Sequence, residues 1–181
     1  MLMAAPGTKY LYKDLTGMVH IHAYDAHLRV TSTVQAVVSS MDLEKEGFDA
    51  FIAPDATDAA FGALIREGLD RTRFFTFGED PYVGKGSGGF RKKLSAWHKA
   101  AAKAEGKKTV DEVHKTARAC RCMRTTGFFL FTNAAKGRYV QDGFSEVSDA
   151  TPRYWEALCD PYADDATLGH TARAALDAMV V

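Results

Sequence analysis

One stretch of this chain occurs twice, and that recurrence limits the folds open to it. Pro54 to Asp70 reappears 107 positions later without a gap: Phe48 falls on Trp155, Pro54 on Pro161, Asp58 on Asp165, Phe61 on Leu168, Gly62 on Gly169, Arg66 on Arg173, Leu69 on Leu176 and Asp70 on Asp177. Each copy reads as a strand exit followed by a capped helix. In the first, a strand over 48–53 ends at Pro54, and Thr57 or Asp58 caps the helix by accepting a first-turn N–H. Phe61, Leu64, Ile65 and Leu69 then line one apolar stripe at helical spacing. Asp58 and Asp165 occupy helix-start positions and read as N-caps. Gly62 and Gly169 read as close-approach points between helix and strand.

Two such units imply two pseudo-equivalent halves, each packing its helix on a shared sheet. The expected architecture is α+β with a mostly antiparallel sheet. The halves span about 1–72 and about 115–181 of a single domain covering 1–181, and a helical insert occupies about 85–115. Met18 to Tyr24 alternates as a strand, and Arg29 to Ser40 is strand-rich. Gly127-Phe-Phe-Leu-Phe131 suits a buried central strand, and the same shift lays its phenylalanines over Ile21 to Tyr24. Phe90 to Ala104 is an amphipathic helix with Trp97 on its apolar face. Thr109 and Glu112 form a capping box for a short helix. Ala117 to Met123 pairs with 128–132 across a hairpin, and Asp165 to Val180 is the last helix.

Charge is segregated. The net charge is zero, yet residues 85–124 hold 12 Lys/Arg against 3 Asp/Glu, while both flanking segments, which carry the repeat, are mildly acidic. Three cysteines, Cys120, Cys122 and Cys159, are too few and too odd in number for a disulfide framework and fit a reducing cytoplasm. No apolar run reaches membrane-helix length, and no secretory leader pattern opens the sequence.

Each chemical constellation competes with a structural reading. His20 and His22 share a strand face and could bind a metal or shuttle protons, but no third ligand stands at motif spacing, so a polar sheet face is the stronger reading. Cys120 and Cys122 lack zinc-ligand spacing and read as buried thiols. Gly84 to Gly89 matches G-x-G-x-x-G ahead of a helix, but no βαβ unit surrounds it, which favours a plain loop over a nucleotide cradle. Arg91, Lys92, Lys93, Lys99, Lys103, Lys107 and Lys108 could grip nucleic-acid phosphates, but a solvated face with Trp97 turned inward is favoured. Asp55 and Asp58, with Asp164 and Asp165 in the second copy, resemble paired carboxylates for acid–base work, but Asp58 and Asp165 stand at helix starts in the repeat, which argues for capping. No nucleophile-plus-base set emerges, so the residues do not describe an enzyme, and no cofactor or metal is expected.

The order of the second half carries a resemblance. A Trp-bearing basic helix ends in Gly106-Lys-Lys-Thr109. Lys115-Thr-Ala-Arg-Ala-Cys120, a hairpin and the Ala163 to Leu176 helix follow, with Lys115, Cys120, Leu168, Gly169, Ala175 and Leu176 at the matching positions. This resembles the CdiI-type immunity proteins of bacterial contact-dependent growth inhibition; residues 133–147 depart from the pattern. The resemblance implies a cytoplasmic, non-enzymatic antidote that pairs 1:1 with the C-terminal toxin domain, a nuclease, of a CdiA-type surface protein. Membrane and nucleic acid are not expected as direct partners. Acidic surface suits a toxin that itself grips polyanions, so the expected toxin-binding residues are Asp55, Glu79, Asp80, Asp160 and Asp164. The rival functions are a nucleic-acid-binding module built on the basic helix and a nucleotide-binding enzyme built on Gly84 to Gly89.

Overall fold

The computed structural model describes residues 14–35, 40–75, 87–133 and 156–178. Along the chain these form β1 (Leu15–Ala23), β2 (Leu28–Gln35), β3 (Ser40–Met41), β4 (Asp49–Ile52), α1 (Asp58–Asp70), β5 (Arg73–Phe74), α2 (Ser87–Ala104), α3 (Val110–Thr116), β6 (Arg118–Thr125), β7 (Phe129–Asn133), β8 (Glu156–Cys159) and α4 (Asp165–Asp177). The class is α+β, as expected. Residues 134–147, in the stretch that departs from the resemblance, lie outside the described residues.

The sheet runs β4-β2-β1-β6-β7-β8, every neighbour antiparallel. β3 pairs with the far end of β2, and the short β5 pairs parallel to it. The two repeat units therefore meet at the β1–β6 pair in the middle of the sheet. Their correspondence is closer than a single shift reveals. Pairs Val19↔Ser32 and Ile21↔Val30 of the first hairpin match Cys120↔Asn133 and Cys122↔Phe131 of the second. Leu28↔Ile52 and Val30↔Ala50 likewise match Phe129↔Cys159 and Phe131↔Ala157. Phe129 and Phe131 thus stand where Leu28 and Val30 do, not over Ile21 to Tyr24. The hairpins correspond at a shorter offset than the strand–helix units, because the second copy has extra residues between β7 and β8.

Alternation along each strand sorts side chains onto two faces. Val19, Ile21, Val30, Cys122, Phe129 and Phe131 point to one face and are fully buried against Phe61, Ile65 and Leu69 of α1 and Leu168, Ala172 and Leu176 of α4. Those helical residues recur every three or four positions, so each helix presents one apolar stripe to the sheet. On the opposite face, Tyr24 and Ala119 pack beneath Ala101 and Ala102 of α2 and Val113 of α3. The basic insert is therefore a lid on the second face of the sheet.

Local signals set the element ends. Thr109 Oγ1 accepts from Glu112 N at 3.2 Å, and Glu112 Oε2 accepts from Thr109 N at 3.4 Å, so the capping box closes as expected. Thr109→Ala should lower stability by about 1 kcal/mol in urea unfolding, whereas Thr109→Ser should leave it nearly unchanged. Equal effects of the two would show that the hydroxyl is not the cap.

Candidate functional site

The repeat converges where α1 and α4 cross near their N-terminal ends. Arg66 of α1 donates from Nε to Asp165 Oδ1 at 2.7 Å and from Nη2 to the Ala163 carbonyl at 2.7 Å. Arg173 of α4 returns the arrangement, from Nε to Asp58 Oδ1 at 2.8 Å and from Nη1 to the Pro54 carbonyl at 2.8 Å. Each arginine thus ties down the turn that precedes the other helix. Forked donors suit this task, since one guanidinium reaches a carboxylate and a carbonyl together.

Two expectations are corrected here. Of the two cap candidates for the first helix it is Thr57 that caps, accepting from Ala60 N, and in the second copy the cap is Asp164, not Asp165, accepting from Thr167 N. Asp58 and Asp165 sit one residue inside and pair across the crossing instead. The repeated glycines serve helix-on-helix contact, not helix-on-strand contact: a Cβ on Gly62 would lie 1.7 Å from the Asp165 carbonyl oxygen, and one on Gly169 2.0 Å from that of Asp58.

The crossing presents two turns to solvent, before α1 and before α4. Asp55 is exposed on the first and Asp160 on the second. Asp164 is exposed as well, but its carboxylate is committed to the cap, and the hydrogen bonds from Thr167 hold its pKa below the usual carboxylate value. Glu79 and Asp80 lie outside the described residues. Sequence reasoning passed over Tyr162, which is 92% exposed between Asp160 and Asp164. The signal was there: Tyr162 is the position that matches Asp55 under the repeat, and it is one of the places where the two turns differ. An exposed tyrosine can contribute a large contact area at low entropic cost.

The other constellations resolve structurally. His20 and His22 stack with ring centroids 6.5 Å apart on the second face of the sheet, and His22 meets Trp97 edge-on at 4.9 Å. Among the described residues, no group of three or more His, Cys, Asp or Glu is placed to hold a metal. Cys120 and Cys122 are fully buried, and burial pushes both thiols up, away from the reactive thiolate. The end of the glycine motif is the first turn of α2, and Gly84 to Gly86 lie outside the described residues. Trp97 is turned inward. Lys93 pairs with Glu44 and Lys107 with Asp25, while Arg91, Lys92, Lys99 and Lys103 face solvent.

The family model for "CdiI: CDI immunity protein" matches residues 18–151, most of the chain. The chain belongs to the CDI immunity protein family. Two solved structures share the fold of this immunity protein. One is a protein of unknown function from Neisseria meningitidis, with 13% identity and a TM-score of 0.76, covering 96% of this chain and 99% of that one. The other is a chain of the CdiA-CT/CdiI toxin and immunity complex from Yersinia pseudotuberculosis, with 14% identity and a TM-score of 0.74, covering 92% and 100%. No curated protein matches the immunity protein in sequence. No helix of its described residues is long and apolar enough to cross a membrane.

Proposed function

We propose that this immunity protein neutralises the C-terminal toxin domain of a cognate CdiA-type effector by forming a 1:1 complex in the cytoplasm that covers the toxin's nuclease site. It acts by binding and not by catalysis. The observation that carries the reading is the family match over residues 18–151. The shared fold with a chain of a toxin and immunity complex supports it, as does the acidic, Tyr-bearing surface at the α1–α4 crossing, whose charge suits a nuclease's basic substrate path.

The direct test is calorimetric titration with the C-terminal domain of the cognate CdiA-type effector, purified as a catalytically inactive variant. The expected result is a stoichiometry of one and a Kd at or below about 1 nM, near −12 kcal/mol, which a standard interface with a few packed anchors supplies. No binding, or a Kd weaker than about 1 μM, contradicts the proposal.

The surface itself is tested separately. Tyr162→Ala should weaken binding by about tenfold or more, the loss typical of an aromatic anchor. Joint Asp55→Lys and Asp160→Lys should slow association and weaken binding further as salt is lowered, because repulsion is then less screened. Asp164 is better changed to Asn, which can still cap. Unchanged affinity in all of these, with unchanged urea midpoints, would place the interface elsewhere.

A further inference from the structure

Four of the six histidines form one connected set between the second sheet face and the helical lid. His20 and His22 come from β1, His98 from α2 and His114 from α3. His22 contacts Trp97 at 4.9 Å, Trp97 contacts His98 at 5.0 Å, and the His98 and His114 rings lie 4.7 Å apart with Nδ1 and Nε2 separated by 3.1 Å. The remaining two are differently placed. His27 Nδ1 meets Glu105 at 2.5 Å and so has a counter-ion, and His170 is exposed beside Asp58 at the helix crossing.

The charges around this set are one-sided. Arg29 of β2 is 2% exposed, and its guanidinium lies 4.0 Å from the Trp97 ring centroid. Arg121 of β6 stands beside His20. Of the carboxylates near the layer, Asp49 of β4 is engaged by Arg29, Glu105 just after α2 by His27, and Asp111 of α3 acts on His114. The lysines of α2 point outward. A proton added to His20, His22 or His98 therefore enters a layer that already holds guanidinium charge.

We propose that these histidines form an acid-operated latch: their protonation releases the α2–α3 lid from the sheet while the α1–α4 side stays folded. The His98–His114 contact shows why. Its hydrogen bond needs one ring nitrogen to accept, and two imidazoliums would set two N–H donors against each other. Burial comes first among the causes that hold His22 down to about 3, followed by Arg29, and burial then His114 hold His98 down to about 4; His20 and His114 are lowered too. Folded values below the unfolded one mean that the lid is fully stable above about pH 6.5 and loses stability as pH falls toward the folded values. At pH 5 that is about 30-fold in the closing equilibrium for each of His22 and His98, about a thousandfold together. The other face has no such set. Its core is apolar apart from thiols that stay neutral, and its ion pairs persist until carboxylates protonate.

Hydrogen exchange read by mass spectrometry on the full chain, at pH 7.5 and 5.0 and corrected for intrinsic rates, tests the latch. Protection of peptides from α2 and α3 should fall by about 100-fold or more at pH 5.0, while α1 and α4 change by less than about threefold. Unchanged protection in α2 and α3, or a parallel loss in all four helices, would overturn it. In a His98→Asn, His114→Gln variant, whose amides mimic the two bonded nitrogens, the acid-induced loss should shrink about 30-fold. An undiminished loss would also overturn the latch, and the wild-type comparison decides alone should the variant not fold.

Discussion

Gly62→Ala should lower stability by about 3 kcal/mol or more, and Gly169→Ala by a similar amount, corresponding to about 6–12 °C in Tm for a chain of this size. The sign is the informative part. In an ordinary helix interior, Gly→Ala stabilises by about 1 kcal/mol because alanine loses less backbone entropy. Here the new Cβ would lie 1.7 Å from the Asp165 carbonyl oxygen, or 2.0 Å from that of Asp58. Both obstacles are helix backbone, which cannot swing aside as a side chain can. The helices would have to separate, and the arginine bonds of Arg66 and Arg173 would lengthen with them. Gly89 in α2 is the control, since a Cβ there meets nothing within 4 Å, and Gly89→Ala should stabilise by about 0.5–1 kcal/mol. Urea unfolding of the three variants decides the matter. Stabilisation by Gly62→Ala would mean that the two helices do not touch at the repeated glycines.

The second large effect is expected at Asp49. Arg29 donates from Nε and Nη2 to the two Asp49 oxygens at 2.7 and 2.5 Å, and from Nη1 to the Trp97 carbonyl at 2.8 Å. Its guanidinium lies between the rings of Trp97 and Phe51, at 4.0 and 4.5 Å from their centroids. Asp49→Ala leaves a buried cation with one carbonyl acceptor and should lower stability by about 3–5 kcal/mol. Arg29→Met should cost less. Its side chain keeps an apolar filling between the rings, and the Asp49 carboxylate it leaves behind is 33% exposed and can be hydrated. The Arg29→Met, Asp49→Ala pair should recover much of the Asp49→Ala loss, giving a coupling above about 1.5 kcal/mol in a double-mutant cycle. Additive losses would show that the two groups act independently.

These two sites show what could be read from the sequence and what could not. The apolar stripes, the Pro54 and Pro161 strand exits and the Thr109 capping box are local signals, and they located α1, α3, α4, β4 and β8. The inward turn of Trp97 also follows from its spacing with Ala101. Pairing between halves is not local. Nothing in the order of residues says that Arg66 reaches Asp165 rather than solvent, or that Gly62 faces a helix rather than a strand. The repeat held that information in a form that could be used, because residues conserved between copies at a two-fold crossing tend to touch their counterparts' neighbours. The hairpin offset was hidden because the second copy carries extra residues after β7, so one ungapped shift cannot align both parts. Arg29 sits in an alternating strand and reads as a surface residue until α2 is laid over it. Of the expected toxin-binding acids, Asp55 and Asp160 reach the surface beside the crossing, and Asp164 is spent on a cap. Tyr162 was legible only as a mismatch within the repeat.

Protection of living cells tests the central claim most directly. The cognate CdiA C-terminal domain is expressed from an inducible promoter in a strain that lacks this gene, with the immunity protein supplied from a second plasmid at equal or greater level. Neutralisation by binding predicts full growth with the wild-type protein, and loss of growth both when the toxin outnumbers the immunity protein and when Tyr162→Ala is combined with the Asp55 and Asp160 charge reversals. Growth arrest with abundant wild-type protein, or protection at amounts far below those of the toxin, would contradict it.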